Sequence, residues 1–146
     1  MPIPFRIQHL ETLQFALLKE NINEEKMAFS VSFEFGIDPD AKMIRTIFRY
    51  QLLEDTATAL LIEVAVHTAI KEDEFDEKLK SKEGLFIPKD FAVHLGVIAV
   101  GTTRGILHEK TKDSVLNKYP IQTINVVELI NSDITFPINA EEAVSA

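Results

Sequence analysis

The chain of 146 residues has no cysteine. That absence removes disulfides, thiol catalysis and cysteine-based zinc sites together. Positive charge is scarce: 15 Lys and Arg stand against 23 Asp and Glu, a formal net charge of −8. A surface that tracks phosphates needs a basic excess on some face, so nucleic acid is not an expected partner. The one basic cluster, Lys78, Lys80 and Lys82, is cancelled by Glu72, Asp73, Glu74, Asp76, Glu77 and Glu83. Long apolar runs are missing too. The longest, near Val97 to Val100, is too short to span a bilayer. Met1-Pro2-Ile3-Pro4-Phe5-Arg6 lacks a basic segment followed by an apolar one, so no signal peptide is read there. The expectation is a cytoplasmic protein without membrane insertion.

Catalytic constellations are equally hard to find, and the expectation is that the chain is not an enzyme, with no metal and no cofactor. Gly96, then Gly101-Thr102-Thr103, imitates a phosphate loop but lacks the lysine and begins inside a helical stretch. His108-Glu109 opens like a metalloprotease motif without the second histidine. His94 and His108 sit about four turns apart on one helix, too far to share an ion. His9 and His67 read as half-exposed sheet residues. No Gly-x-Ser-x-Gly elbow occurs, and the carboxylate cluster at 71–83 lacks a dry pocket.

What is present is a core. Hydrophobic residues make up 46% of the chain and charged residues 26%, which suits one globular domain. Residues 5–18 read as a strand carrying Phe5, Ile7, Leu10, Leu13, Phe15 and Leu17, with a parity change after Ile7 that predicts a bulge. Phe29, Val31, Phe33 and Phe35 alternate with small or polar residues, a period of two with one apolar face. Asp38-Pro39-Asp40 supplies turn chemistry. A return strand over 43–53 places Ile44, Phe48, Tyr50 and Leu52 on one face, with Arg45, Arg49 and Gln51 opposite. A fourth strand over 57–70 sends Leu60, Ile62, Val64, Val66 and Ile70 one way and Leu61, Glu63, Ala65 and His67 the other. The short connections predict an antiparallel meander.

The charge run at 71–83 reads as a solvated loop or helical turn with Phe75 and Leu79 tucked down. Pro88 fits a helix start, Asp90 suits the helix dipole, and a helix is predicted from Lys89 to Lys110. Phe91 to Val100 is apolar nearly all round, so this helix needs cover on more than one side, and a second subunit could supply it. Gly101 and Gly105 predict a close approach of the helix to a neighbour. Tyr119-Pro120 ends the helical region. Asn125 with Glu128 has capping-box spacing and predicts a short helix with Val126, Val127, Leu129 and Ile130. The domain is placed at 1–130, with a mobile tail over 131–146.

These words, in this order, resemble the SecB family of protein-export chaperones. Phe5-Arg6-Ile7-Gln8 is similar to the family's Phe-x-Ile-Gln opening, and Thr58-Ala59-Leu60-Leu61-Ile62-Glu63-Val64 to its Thr-Ala-x-Leu-x-Glu-Val fourth strand. Arg104 falls at the Arg of a Pro-Tyr-Ala-Arg-Glu segment, here Gly101-Thr102-Thr103-Arg104. Tyr119-Pro120 resembles the Phe-Pro after the helix. Thr123-Ile124-Asn125 with Leu129-Ile130 resembles the family's Pro-Val-Asn-Phe-x-x-Leu-Phe ending.

The resemblance covers about residues 5–130 and implies an α+β fold, a four-stranded antiparallel sheet with a long helix and a short C-terminal helix on one face. It implies an ATP-independent holdase, paired into a dimer and then a homotetramer, that binds unfolded or pre-export polypeptides in hydrophobic grooves. Carried over residue by residue, it places docking of the translocase motor SecA on Leu61 and Glu63, and subunit contacts on Ile62, Val64 and Val66 beside Gly101 and Gly105. A client groove would then run past Phe29, Phe33, Phe48, Tyr119 and Ile121. Leu13-Gln14-Phe15-Ala16 replaces the acidic residues that face the motor in the family, so only half of that docking surface is present. Two alternatives stand beside the holdase. One is a module of the same fold dedicated to one partner, as in a toxin–antitoxin pair. The other is a small-molecule cup lined by Ser30, Ser32, Arg45, Arg49 and His67.

Overall fold

The computed structural model describes residues 2–137. Strand β1 runs over Phe5–Leu17, β2 over Met27–Asp38, β3 over Met43–Glu54 and β4 over Ala57–Ile70. They form one antiparallel sheet in the order β1-β4-β3-β2. The β2–β3 turn is closed by the Asp38 carboxylate, which accepts from the amides of Asp40 and Ala41 at 3.1 Å each. The β3–β4 turn places Asp55 in the left-handed region, which a short polar side chain tolerates. The bulge expected after Ile7 is there, and a second follows between Thr12 and Gln14.

A meander would have put β1 beside β2. Instead β1 crosses to β4, giving Greek-key order. The reason is the connection over 18–26, which packs across the end of β3 and β4. Leu18 and Lys19 donate backbone bonds to the Ala59 carbonyl. Glu54 accepts from the Lys19 ammonium and the Asn23 amide, both at 2.6 Å. Those bonds, first that from Lys19 and then that from Asn23, outweigh a smaller desolvation effect and hold the Glu54 carboxyl below its ordinary range.

Helix α1 spans Glu72–Lys78, and its Phe75, with the following Leu79, is fully buried as expected. Strands β5 (Lys80–Ser81) and β6 (Gly84–Ile87) lead into α2, Lys89–Lys110, whose bounds match the prediction. Phe91, Ala92, Leu95, Ala99, Val100 and Leu107 of α2 pack on the sheet face formed by Ile44, Phe48, Tyr50, Leu60, Ile62, Val64 and Val66. Helix α3, Val126–Leu129, is one turn long, and the Asn125 side chain accepts from the Glu128 amide.

Two expectations change. The tail placed at 131 begins with order: β7, Ile134–Pro137, pairs antiparallel with β6 in a second, three-stranded sheet. Residues 138–146 lie outside the described ones. The unbroken apolar run is short, yet α2 as a whole is long and apolar enough to cross a membrane by length and composition. Its inner face is committed to the sheet, so it serves as the core helix of the domain.

Candidate functional site

Side chains opposite one another in an antiparallel sheet share a face. The register therefore extends the apolar face of β3 and β4 onto both edges. On β2 it carries Phe29, Val31, Phe33, Phe35 and Ile37; on β1 it carries Phe5, Ile7, Leu10, Phe15 and Leu17. One helix is about 10 Å wide, and strands repeat every ~4.8 Å, so α2 covers two strands and not four. The edges show it. Phe48 on β3 is 0% exposed, Phe29 on β2 is 52%, and Ile7 and Leu10 on β1 are 47% each.

The β2 side is shaped into a groove. Phe33 packs on Phe48 with tilted rings whose centroids are 5.0 Å apart, and Phe29 stacks on Tyr50 at 6.2 Å. The opposite wall is the segment after α2. Ile121, Val126 and Ile130 bury themselves there, and Gly96 makes room for two of them. A Cβ at Gly96 would lie 3.0 Å from Ile130, 3.0 Å from Val126 and 3.2 Å from Phe33. Arg104 fixes this wall by donating to the carbonyls of Ile121 and Gln122 at 2.7 and 2.9 Å. Tyr119 ties it to the turn before β2, its hydroxyl donating to the Glu24 carboxylate at 2.8 Å. Desolvation, reinforced by Glu24, raises the Tyr119 phenol above its usual range. A pocket of about 300 Å³ remains between Val31, Phe33 and Phe35 on one side and Leu129, Ile130 and Ile134 on the other. Along the outer side of β2 no described strand pairs, so its backbone edge is open.

Of the five groove residues read from sequence, Phe29 and Phe33 line this site and Tyr119 borders it. Phe48 and Ile121 do not. Both are buried in the chain's own core, Phe48 under α2 and Ile121 behind the wall. The subunit-contact reading of Ile62, Val64 and Val66 is overturned for the same reason, because α2 of the same chain covers them completely. Gly101 and Gly105 lie exposed on the far side of α2, where a Cβ added at either would meet no other part of the chain within 4 Å, so no neighbour in the chain accounts for them.

Leu61 and Glu63 fall on the other face of the sheet, as their parity requires, and both are half-buried. Glu63 accepts from Arg49 at 3.3 Å. The cup residues lie on this same open face rather than around a cavity. Ser32, Arg49, Glu63 and Gln14 form one cross-strand row. Arg45, His67 and His9 form another, two rows along, with His67 3.2 Å from Glu11. Spread along an open sheet face, these side chains do not converge on one point, which is what the cup reading needs. Among the described residues, no group of three or more His, Asp or Glu side chains is arranged to hold a metal ion.

Sequence reasoning missed Gly96, the exposed Ile7 and Leu10, and the Tyr119–Glu24 tie.

Fold and groove define a class: an α+β domain whose distinctive surface is an open apolar sheet edge, suited to holding an extended chain. No family model matches the chain, and no curated protein does. Among solved structures it is similar to a SecB-like chaperone of Mycobacterium tuberculosis in complex with a ChAD peptide from the HigA1 antitoxin, at 14% identity and a TM-score of 0.49. The match covers 82% of this chain and 90% of that one.

Proposed function

We propose that the protein is an ATP-independent, SecB-like holdase that binds extended apolar segments of unfolded polypeptides, acting as a homo-oligomer in the cytoplasm. The observation that carries the reading is the apolar row of β2, exposed at Phe29 and half-buried at Val31, Phe33, Phe35 and Ile37, beside an open backbone edge. A bound segment would pair with β2 and place alternate side chains against Phe29, Val31, Phe33 and Phe35, which needs patches rather than a lock. Clients awaiting export would fit this site, and docking of SecA would fall to the Leu61 and Glu63 face. Glu63 already has a partner in Arg49, which weakens its offer to a motor.

A second reading uses the same groove for one dedicated partner. It is favoured by the size of the pocket, about 300 Å³, because Ile121, Val126 and Ile130 already fill the space nearest α2. The deciding experiment is aggregation of an unrelated denatured protein, followed by light scattering without nucleotide. A stoichiometric excess of the chain is expected to suppress it. Protection of a single native partner alone would establish the second reading instead, and protection of neither would sink both.

A further inference from the structure

Another cavity, of about 800 Å³, opens where the start of α2 meets the first residues of the chain. It is more than twice the size of the pocket beside β2 and falls in the range of small-molecule sites. Its floor is apolar. Ile3 is 6% exposed and Phe91 8%, and the Phe5 ring stands edge-on to Phe91 with centroids 5.6 Å apart. Pro2 and Pro4 flank Ile3, and proline fixes φ, so the arm that carries this wall is stiff.

The rim is polar, and its full charges cancel. Lys78, Lys89, Asp90 and Asp133 line it, two ammonium groups against two carboxylates. Two of the four are already engaged. Lys78 lies 2.9 Å from the Glu74 carboxylate, and Asp133 accepts from the Lys89 backbone amide at 2.8 Å. The Lys89 ammonium and the Asp90 carboxylate have no ion pair or side-chain hydrogen bond among the described residues. His94 completes the rim, its ring centroid 5.5 Å from that of Phe5.

These features select a ligand by exclusion and by fit. A plain anion would meet the aspartates and a chain of net charge −8, and a plain cation would meet the lysines. A molecule carrying both charges on an apolar body matches floor and rim together. We infer that this cavity binds a zwitterionic amino acid with an aromatic or large apolar side chain. The carboxylate falls to Lys89, the ammonium to Asp90, and the side chain to Ile3, Phe5 and Phe91. The site is separate from the β2 groove, and the inference does not rest on the holdase reading.

The test is titration of L-phenylalanine into the full chain, followed by amide NMR. Saturable shifts are expected at Ile3, Phe5 and residues 89–94, with residues 27–38 unmoved. Phenylacetate, which lacks the ammonium, and phenethylamine, which lacks the carboxylate, should each bind about tenfold more weakly. Lys89→Met should weaken L-phenylalanine about tenfold and leave phenethylamine unchanged. Asp90→Asn should weaken it by a similar factor and leave phenylacetate unchanged. Lys112→Met, an exposed lysine just past the other end of α2, should alter none of these affinities. No saturable binding by about 10 mM L-phenylalanine, or shifts confined to residues 27–38, overturns the inference. So does either single-charge analogue binding as tightly as the amino acid, or wild-type affinity in both Lys89→Met and Asp90→Asn.

Discussion

The middle and the edges of the sheet are made of the same material and have different fates. Phe48 and Phe33 face each other across β3 and β2, and Phe29 lies four residues before Phe33 on the same face. Yet Phe48 is sealed under α2 while Phe29 is half in solvent. Composition does not separate them; position relative to one helix does. The middle strands convert aromatic and β-branched residues into stability, and the edges keep theirs available for something else. An apolar edge beside unpaired backbone is an aggregation hazard unless it is covered or used.

The largest effect should come from removing that distinction at its strong end. Phe48→Ala is expected to cost about 3–5 kcal/mol of stability in denaturant unfolding. Phe29→Ala should cost under about 1 kcal/mol, because half its surface is already hydrated. Equal costs would mean that the edge is as much core as the middle.

Next comes the helix, which carries the comparison along its own length. Gly96→Leu should destabilise by about 1–3 kcal/mol, since Ile130 and Val126 already stand 3.0 Å from a Cβ there. Gly101→Ala should stabilise an isolated chain by about 0.5–1 kcal/mol through helix propensity, measured at dilutions where it is monomeric. Destabilisation at both positions would remove the difference between an inner and an outer glycine.

The smallest effect concerns Glu54, the anchor of the connection that sends β1 to the far side of the sheet. Its carboxyl is held below the ordinary range, first by the hydrogen bond from Lys19 and then by that from the Asn23 amide. A group with a lowered folded pKa contributes stability above its unfolded value, lost as pH falls through the folded one. Wild type should therefore lose stability on acidification from about pH 4.5 downward more steeply than Glu54→Gln. Parallel curves would show that the anchor is too hydrated to count.

Much of this fold is legible in sequence where the signal is local. Strands β2 to β4 follow from alternation and from the aspartate turns, and α2 from Pro88 and its basic finish. The site is legible only in part, because period-two alternation gives a face and not a place in the sheet. Parity gave Phe29, Phe48 and Val64 each to the apolar face of its own strand, but which of them an intrachain helix covers depends on strand order. That order turns on the long-range bonds of 18–26, which no pattern within β1 reveals. Strand β7 escaped notice because four residues, only two of them large and apolar, give alternation too little length to stand out.

The central claim is that the uncovered edge of β2 holds extended apolar chain. Its most direct test is amide hydrogen exchange of the intact protein with and without a permanently unfolded client polypeptide, repeated with Phe29→Glu. The account predicts that residues 27–38 gain protection when the client is added. It also predicts that Phe29→Glu abolishes that gain while leaving the melting temperature within about 5 °C of wild type. Protection arising elsewhere with β2 unchanged, or a Phe29→Glu chain that binds the client as wild type does, would contradict it.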